Sequence, residues 1–215
     1  MIWRRLLAYF LAILGVTAVL TIAGSWYPGS LRLHEFPGPA DAYGTSEFSP
    51  IELLQLGILV VSGLLLAGVT RDSRLFRPLA LAIGGTAFIL LIRELDYFLD
   101  RYIVDNLWQA LIAACGALLI AYLYRHQRLL RLGLARAWPS PGMTLLYAGL
   151  VILVPFSILV GHEPLWQSIL GDAYVRVAML AVEEFIELAG YFLWMAGSIE
   201  FVIEVRELEA ARRAD

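Results

Sequence analysis

Five carboxylates interrupt stretches that are otherwise apolar. Glu94 and Asp96 stand in the run Ile92-Arg93-Glu94-Leu95-Asp96-Tyr97, and Glu183, Glu184 and Glu187 in the run Val182-Glu183-Glu184-Phe185-Ile186-Glu187. A charged side chain at the centre of a membrane helix costs ~2.5–3.5 kcal/mol on insertion scales. Three on one segment must therefore face protein, water, a cation or a proton. Like charges crowded where the dielectric constant is low repel strongly, so a bound cation or an exchanging proton is their natural complement. On a helix, Arg176, Glu183, Glu187, Gly190 and Trp194 share one stripe, and Glu184, Tyr191 and Ser198 a neighbouring one. Arg93 and Arg176 are the expected charge partners of the five acids. A purely structural network, in which these arginines and the hydroxyls of Tyr97 and Tyr191 tie the acids together to fix helix packing, is the competing reading.

Two histidine-acid pairs, His34-Glu35 and His162-Glu163, fall in segments expected to flank the same end of the acids. Imidazole with carboxylate suits zinc, manganese or iron, so a divalent metal held by His34, His162, Glu94 and Glu187 is an alternative use of the site. No H-E-x-x-H or H-x-x-E-H spacing supports it. His126 lies among arginines and reads as a surface residue.

Other chemistries lack their residues. The chain has no G-x-S-x-G, no phosphate-binding loop, no dinucleotide fingerprint and no C-x-x-C. No histidine lies in an apolar run, which removes axial haem ligation. Cys115 is the single cysteine, which excludes an intrachain disulfide and a cysteine metal cage. Ser62, Ser157 and Ser198 are lone hydroxyls expected to bond back to a carbonyl of their own helix. Catalytic residues stay unassigned.

The elements that must position these residues follow from composition. Sixty per cent of the 215 residues are hydrophobic and mean hydropathy is +0.74, against roughly 45–50% apolar usage in soluble domains. Apolar runs occupy 6–24, 51–69, 79–99, 107–124, 143–160 and 175–199, each close to the ~20 residues that cross a bilayer as a helix. None shows the two-residue alternation of an outer-membrane strand. The expectation is an all-α, polytopic membrane protein: one domain over residues 1–215, a bundle of six transmembrane helices. An external loop covers 25–50, and a basic cytoplasmic loop covers 125–142. The first run follows Trp3-Arg4-Arg5 in the manner of a signal peptide, but its apolar length exceeds the ~7–15 residues of a signal core, so a retained span is expected.

Arginine sets the direction. Twelve of the sixteen basic residues, all arginine, fall on alternate loops with both termini, while Arg32, Arg93, Arg101 and Arg176 fall on the other side. Both termini are therefore expected in the cytoplasm. Trp26, Tyr27, Tyr97, Tyr102, Trp108, Trp166 and Tyr174 mark one interface, and Trp3, Tyr122, Tyr124 and Trp138 the other. Exclusive use of arginine hints at a GC-rich bacterial genome, so the bacterial inner membrane is the expected location. The 125–136 segment, basic with interleaved leucines, reads as an interfacial helix on anionic lipid. Pro155 should kink the fifth span. Small residues at 63–68 and Gly84-Gly85 favour close helix approach, within the bundle or to another chain.

The leading functional expectation is a carboxylate cluster that binds a cation or exchanges protons in a cavity near the periplasmic face, in a transport or ion-coupled role. The alternatives are a metal-dependent hydrolase acting on lipid at the outer leaflet, and a non-catalytic accessory or scaffold subunit. Expected partners are the bilayer and either a second copy or another membrane protein. A net charge of −3 without a basic tail argues against nucleic acid. The cofactor is unknown beyond the divalent metal already considered.

Overall fold

The computed structural model describes residues 2–27, 31 and 49–214, and all regular structure among them is helical. Two compact units divide the chain, residues 1–54 and 55–215. In the first unit α1 runs Ile2–Trp26 with no buried residue. Thr17 and Thr21 keep their hydroxyls satisfied inside the helix by donating to Ile13 and Thr17 carbonyls at 3.0 and 2.8 Å, which is how an apolar helix tolerates them. Helix α2, Pro50–Asp72, opens within this unit. The Glu52 amide donates to Ser49 Oγ at 3.1 Å, and the Ser49 amide to Glu52 Oε2 at 3.0 Å. This reciprocal capping box, with proline at the first helical position, fixes where α2 starts.

The larger unit contains the remainder of α2, then α3 (Arg77–Glu94), α4 (Asp96–Tyr102), α5 (Leu107–Arg125) and α6 (Gln127–Ala137). After them come α7 (Pro141–Val151), a π turn (Ile152–Phe156), α8 (Ser157–Val160), α9 (Glu163–Leu170), a 3-10 turn (Gly171–Ala173) and α10 (Arg176–Ala214). Five helical stretches are long and apolar enough to cross a membrane: α1, α2, α5, Pro141–Val160 and α10. A sixth arises if α3 and α4 count as one span, and they meet at a bend of 52°. The continuous third span expected at 79–99 is thus broken at Leu95, directly after Glu94. Asp96 opens the new helix and accepts the Tyr97 amide at 2.6 Å. A carboxylate among free N–H groups favours a helix start here over continuation.

The fifth span is also interrupted. Pro155 has no N–H for a four-residue bond, and the backbone widens into a π turn around it. The short α6 forms where the basic, leucine-containing segment was expected to be helical. At 39 residues, α10 extends ~58 Å at 1.5 Å per residue, so it continues as a charged helix beyond the last apolar residues.

Helices α7 and α10 pack backbone against backbone. Gly142 and Gly149 on α7, and Gly190 and Gly197 on α10, repeat at seven-residue spacing and so line facing stripes. A Cβ on Gly142 would lie 2.6 Å from the Phe201 amide nitrogen, on Gly149 2.9 Å from the Gly190 carbonyl oxygen, and on Gly197 2.6 Å from the Leu146 amide nitrogen. Close approach without side chains is the usual adhesive of apolar helices in lipid. The small residues singled out at 63–68 do not supply it: Gly63 and Gly68 face open space. Gly85 does, since a Cβ there would crowd Leu119 of α5 at 2.8 Å. The core, with Leu59, Leu66, Phe76, Leu153, Tyr191 and Phe201 all but inaccessible, lies between α2, α3, α7 and α10.

Candidate functional site

Helix α3 ends on Arg93 and Glu94, and the break at Leu95 leaves both side chains at its tip. Helix α10 runs antiparallel and presents Glu187 and Tyr191 one turn apart on the same side. The Arg93 guanidinium donates through Nη2 to Glu187 Oε1. The same nitrogen lies 3.7 Å from Glu94 Oε1. Tyr191 donates its phenolic hydrogen to that Glu94 oxygen at 2.6 Å. Ser157, the first residue of α8, donates its hydroxyl to Glu187 Oε1. One guanidinium thus serves two carboxylates from two helices, and each carboxylate has one further hydroxyl donor.

Burial in this group is uneven. The Glu94 and Glu187 side chains are 8% and 3% exposed, whereas that of Arg93 is 34% exposed. The arginine is therefore the side of the group open to the surroundings, and the carboxylates are its covered side. Serine reaches Glu187 because the π turn ends just before it, and because Gly190 lets Leu153 close onto α10: a Cβ there would meet Leu153 Cγ at 2.6 Å.

Glu183 and Glu184 lie about one turn nearer the start of the same helix and are treated differently. Glu184 accepts from Gln55 Nε2 on α2 at 3.1 Å, and the same amide also donates to the Glu184 carbonyl at 3.2 Å. The Glu183 carboxyl packs against Gly161, where a Cβ would meet its Cδ at 2.7 Å. Asp96 serves the start of α4 and makes no hydrogen bond to Glu94 or Glu187 among the described contacts. Arg176 was expected with Arg93 as a charge partner of the five acids, and it forms an ion pair with Glu163 at 3.8 Å.

Of the expected residues, Arg93, Glu94 and Glu187 come together, Glu183 and Glu184 flank them, Asp96 accepts the Tyr97 amide and Arg176 pairs with Glu163. The metal set fares worse. Among the described residues no three His, Cys, Asp or Glu side chains converge to hold an ion. His162 caps the start of α9 without a side-chain bond to it, and His34 lies outside the described residues.

Ser157, Gln55 and Gly161 were not anticipated as participants. Ser157 was assigned to its own helix but bonds to Glu187, and Ser62 likewise reaches across to Met195 Sδ at 3.3 Å. Ser198 Oγ is buried with no hydrogen-bond partner among the described residues. Gln55, fully buried, had a visible signal as a lone amide among leucines. Gly161 had none, since its role depends on what packs against it.

Farther along α10 a second series of acids appears. Glu200 is fully buried. Glu204 accepts Ser140 Oγ at 2.6 Å and the Gly142 amide at 3.1 Å, so it caps the start of α7 from another helix. Glu209 accepts Ser73 Oγ at 2.5 Å.

No protein-family model, no curated protein and no solved structure matches this chain.

Proposed function

We propose that this chain is a multi-pass protein of the bacterial inner membrane with six spans and both termini in the cytoplasm, and that Glu94 and Glu187 take up a proton or small cation in an ion-coupled role. The arginine asymmetry of the loops supports the direction. One observation carries the chemistry: two covered carboxylates on antiparallel helices share a single guanidinium. With both acids ionised, the trio holds one negative charge in excess where the dielectric constant is low, and a proton or cation restores neutrality. The hydroxyls of Tyr191 and Ser157 contact one acid each and give a proton successive oxygen atoms along which to move. Arg93, the exposed member, faces the route of entry. The metal-dependent hydrolase has less behind it, because no third ligand joins Glu94 and Glu187 among the described residues.

The test is flux in liposomes carrying purified protein and a trapped pH-sensitive dye, under an imposed proton, sodium or potassium gradient. Wild-type protein should dissipate one of these gradients faster than empty vesicles. Both Glu94→Gln and Glu187→Gln should remove that excess rate while keeping the helical circular dichroism of the parent. Wild-type vesicles no leakier than empty ones, or variants as fast as the parent, would overturn the reading and leave the accessory role.

A further inference from the structure

Away from the carboxylates, a groove of about 680 Å³ opens between α3, α6, α7 and α10. That lies within the roughly 300–1,000 Å³ of typical small-molecule sites. Its lining is almost wholly apolar: Ala82 and Leu150 form its walls, and Trp194, 3% exposed, its floor. The α6 side is different. There the groove is bordered by Ala135, Trp138 and Arg131, all exposed. Among the described residues the Arg131 guanidinium makes one hydrogen bond, a long one of 3.4 Å to Gln127 on its own helix. Trp138 meets Tyr147 edge to face at 6.4 Å, an aromatic pair of the kind that marks the level of lipid headgroups. Arg128, Arg131 and Arg136 on α6 alternate with leucines, the pattern of a helix lying on an anionic lipid surface.

We propose that this groove holds one acyl chain of an anionic phospholipid, with the lipid phosphate on Arg131. The groove offers the occupant a place for each of its halves, a charge of the right sign at the mouth and an apolar trough behind it. A soluble anion would leave the trough wet. A helix from a second copy would press apolar surface onto an arginine that has no counter-charge, which lipid-facing interfaces avoid. A phospholipid satisfies both requirements and is present at high concentration around any membrane helix. Guanidinium also matches phosphate geometrically, through two parallel N–H donors.

Native mass spectrometry of detergent-purified protein, with phosphatidylglycerol or phosphatidylcholine added in turn, tests this directly. Wild-type protein should retain one phosphatidylglycerol about fivefold more than phosphatidylcholine, the preference expected from one arginine near a lipid surface. Arg131→Gln should reduce phosphatidylglycerol retention to the phosphatidylcholine level. Ala135→Trp, which fills the groove from an exposed position, should reduce retention of both. Thermal melts equal to the parent establish that the two surface variants are folded. Equal retention of the two lipids by wild-type protein, or no change in either variant, overturns the proposal. So does a lipid-free spectrum dominated by twice the chain mass that shifts to monomer in Ala135→Trp, since the groove would then be an interface between copies.

Discussion

Helix α10 carries buried or half-buried acids in two places, and the protein meets their charge in two ways. Glu204 and Glu209 each receive neutral donors: Ser140 Oγ and the Gly142 amide, at the start of α7, for one, and Ser73 Oγ, in the turn that follows α2, for the other. A carboxylate at a helix start, as Glu204 is at that of α7, is stabilised by the free N–H groups and the positive end of the helix dipole, and needs no counter-ion. Glu187 and Glu94 have no such dipole and instead divide one guanidinium between them. Burial therefore does not distinguish an acid that caps an element from one proposed to exchange a proton; the charge count of its neighbours does.

Four substitutions press on that difference, beginning with the largest. Arg93→Gln leaves two covered carboxylates without a cation and should cost ~3–5 kcal/mol, read as loss of folded protein in a detergent melt. If Glu94→Gln restores stability in that background, the shared guanidinium is confirmed as the link; if Arg93→Gln alone is neutral, the two acids are not sharing a charge. Gly142→Ala forces a methyl group onto the Phe201 amide and should cost ~1–3 kcal/mol as overpacking. That substitution strikes the capping end of the α7–α10 seam and should disturb Glu204 before it disturbs Glu187.

Glu204→Gln tests the other side of the comparison. It keeps an acceptor but removes the charge opposite the α7 N-terminus, so the expected loss is ~0.3–1 kcal/mol, with gradient dissipation in liposomes equal to the parent. An effect of Glu204→Gln on flux as large as that of Glu187→Gln would erase the distinction between the two places. The smallest change is Ser157→Ala, for which a membrane hydrogen bond predicts ~0.6 kcal/mol. Its value lies in rate: slower flux at nearly unchanged melting temperature would put the hydroxyl on the proton's path.

Much of the element plan was legible because it depends on local quantities. Apolar length is a property of consecutive residues, and the apolar runs expected at 6–24, 51–69, 107–124 and 143–160 all lie within helices. The run at 175–199 lies within one as well, apart from its first residue. The helical break at Leu95 was not legible, because Ile92 to Tyr97 reads equally well as a bent or a straight helix until Asp96 is seen to cap α4. Likewise the spacing of Gly142 and Gly149 is unremarkable until α10 is found to bring Gly190 and Gly197 opposite them.

From sequence alone come the helical class, the membrane-length spans, and the acids that have no place in lipid without a partner, since each follows from transfer free energies counted along the chain. Which acid meets which partner was decided only in three dimensions. Arg93 and Arg176 are the same residue type, yet one lies between Glu94 and Glu187 and the other beside Glu163. Contact between helices depends on how closely their backbones approach, and on this chain glycines far apart in sequence set that distance.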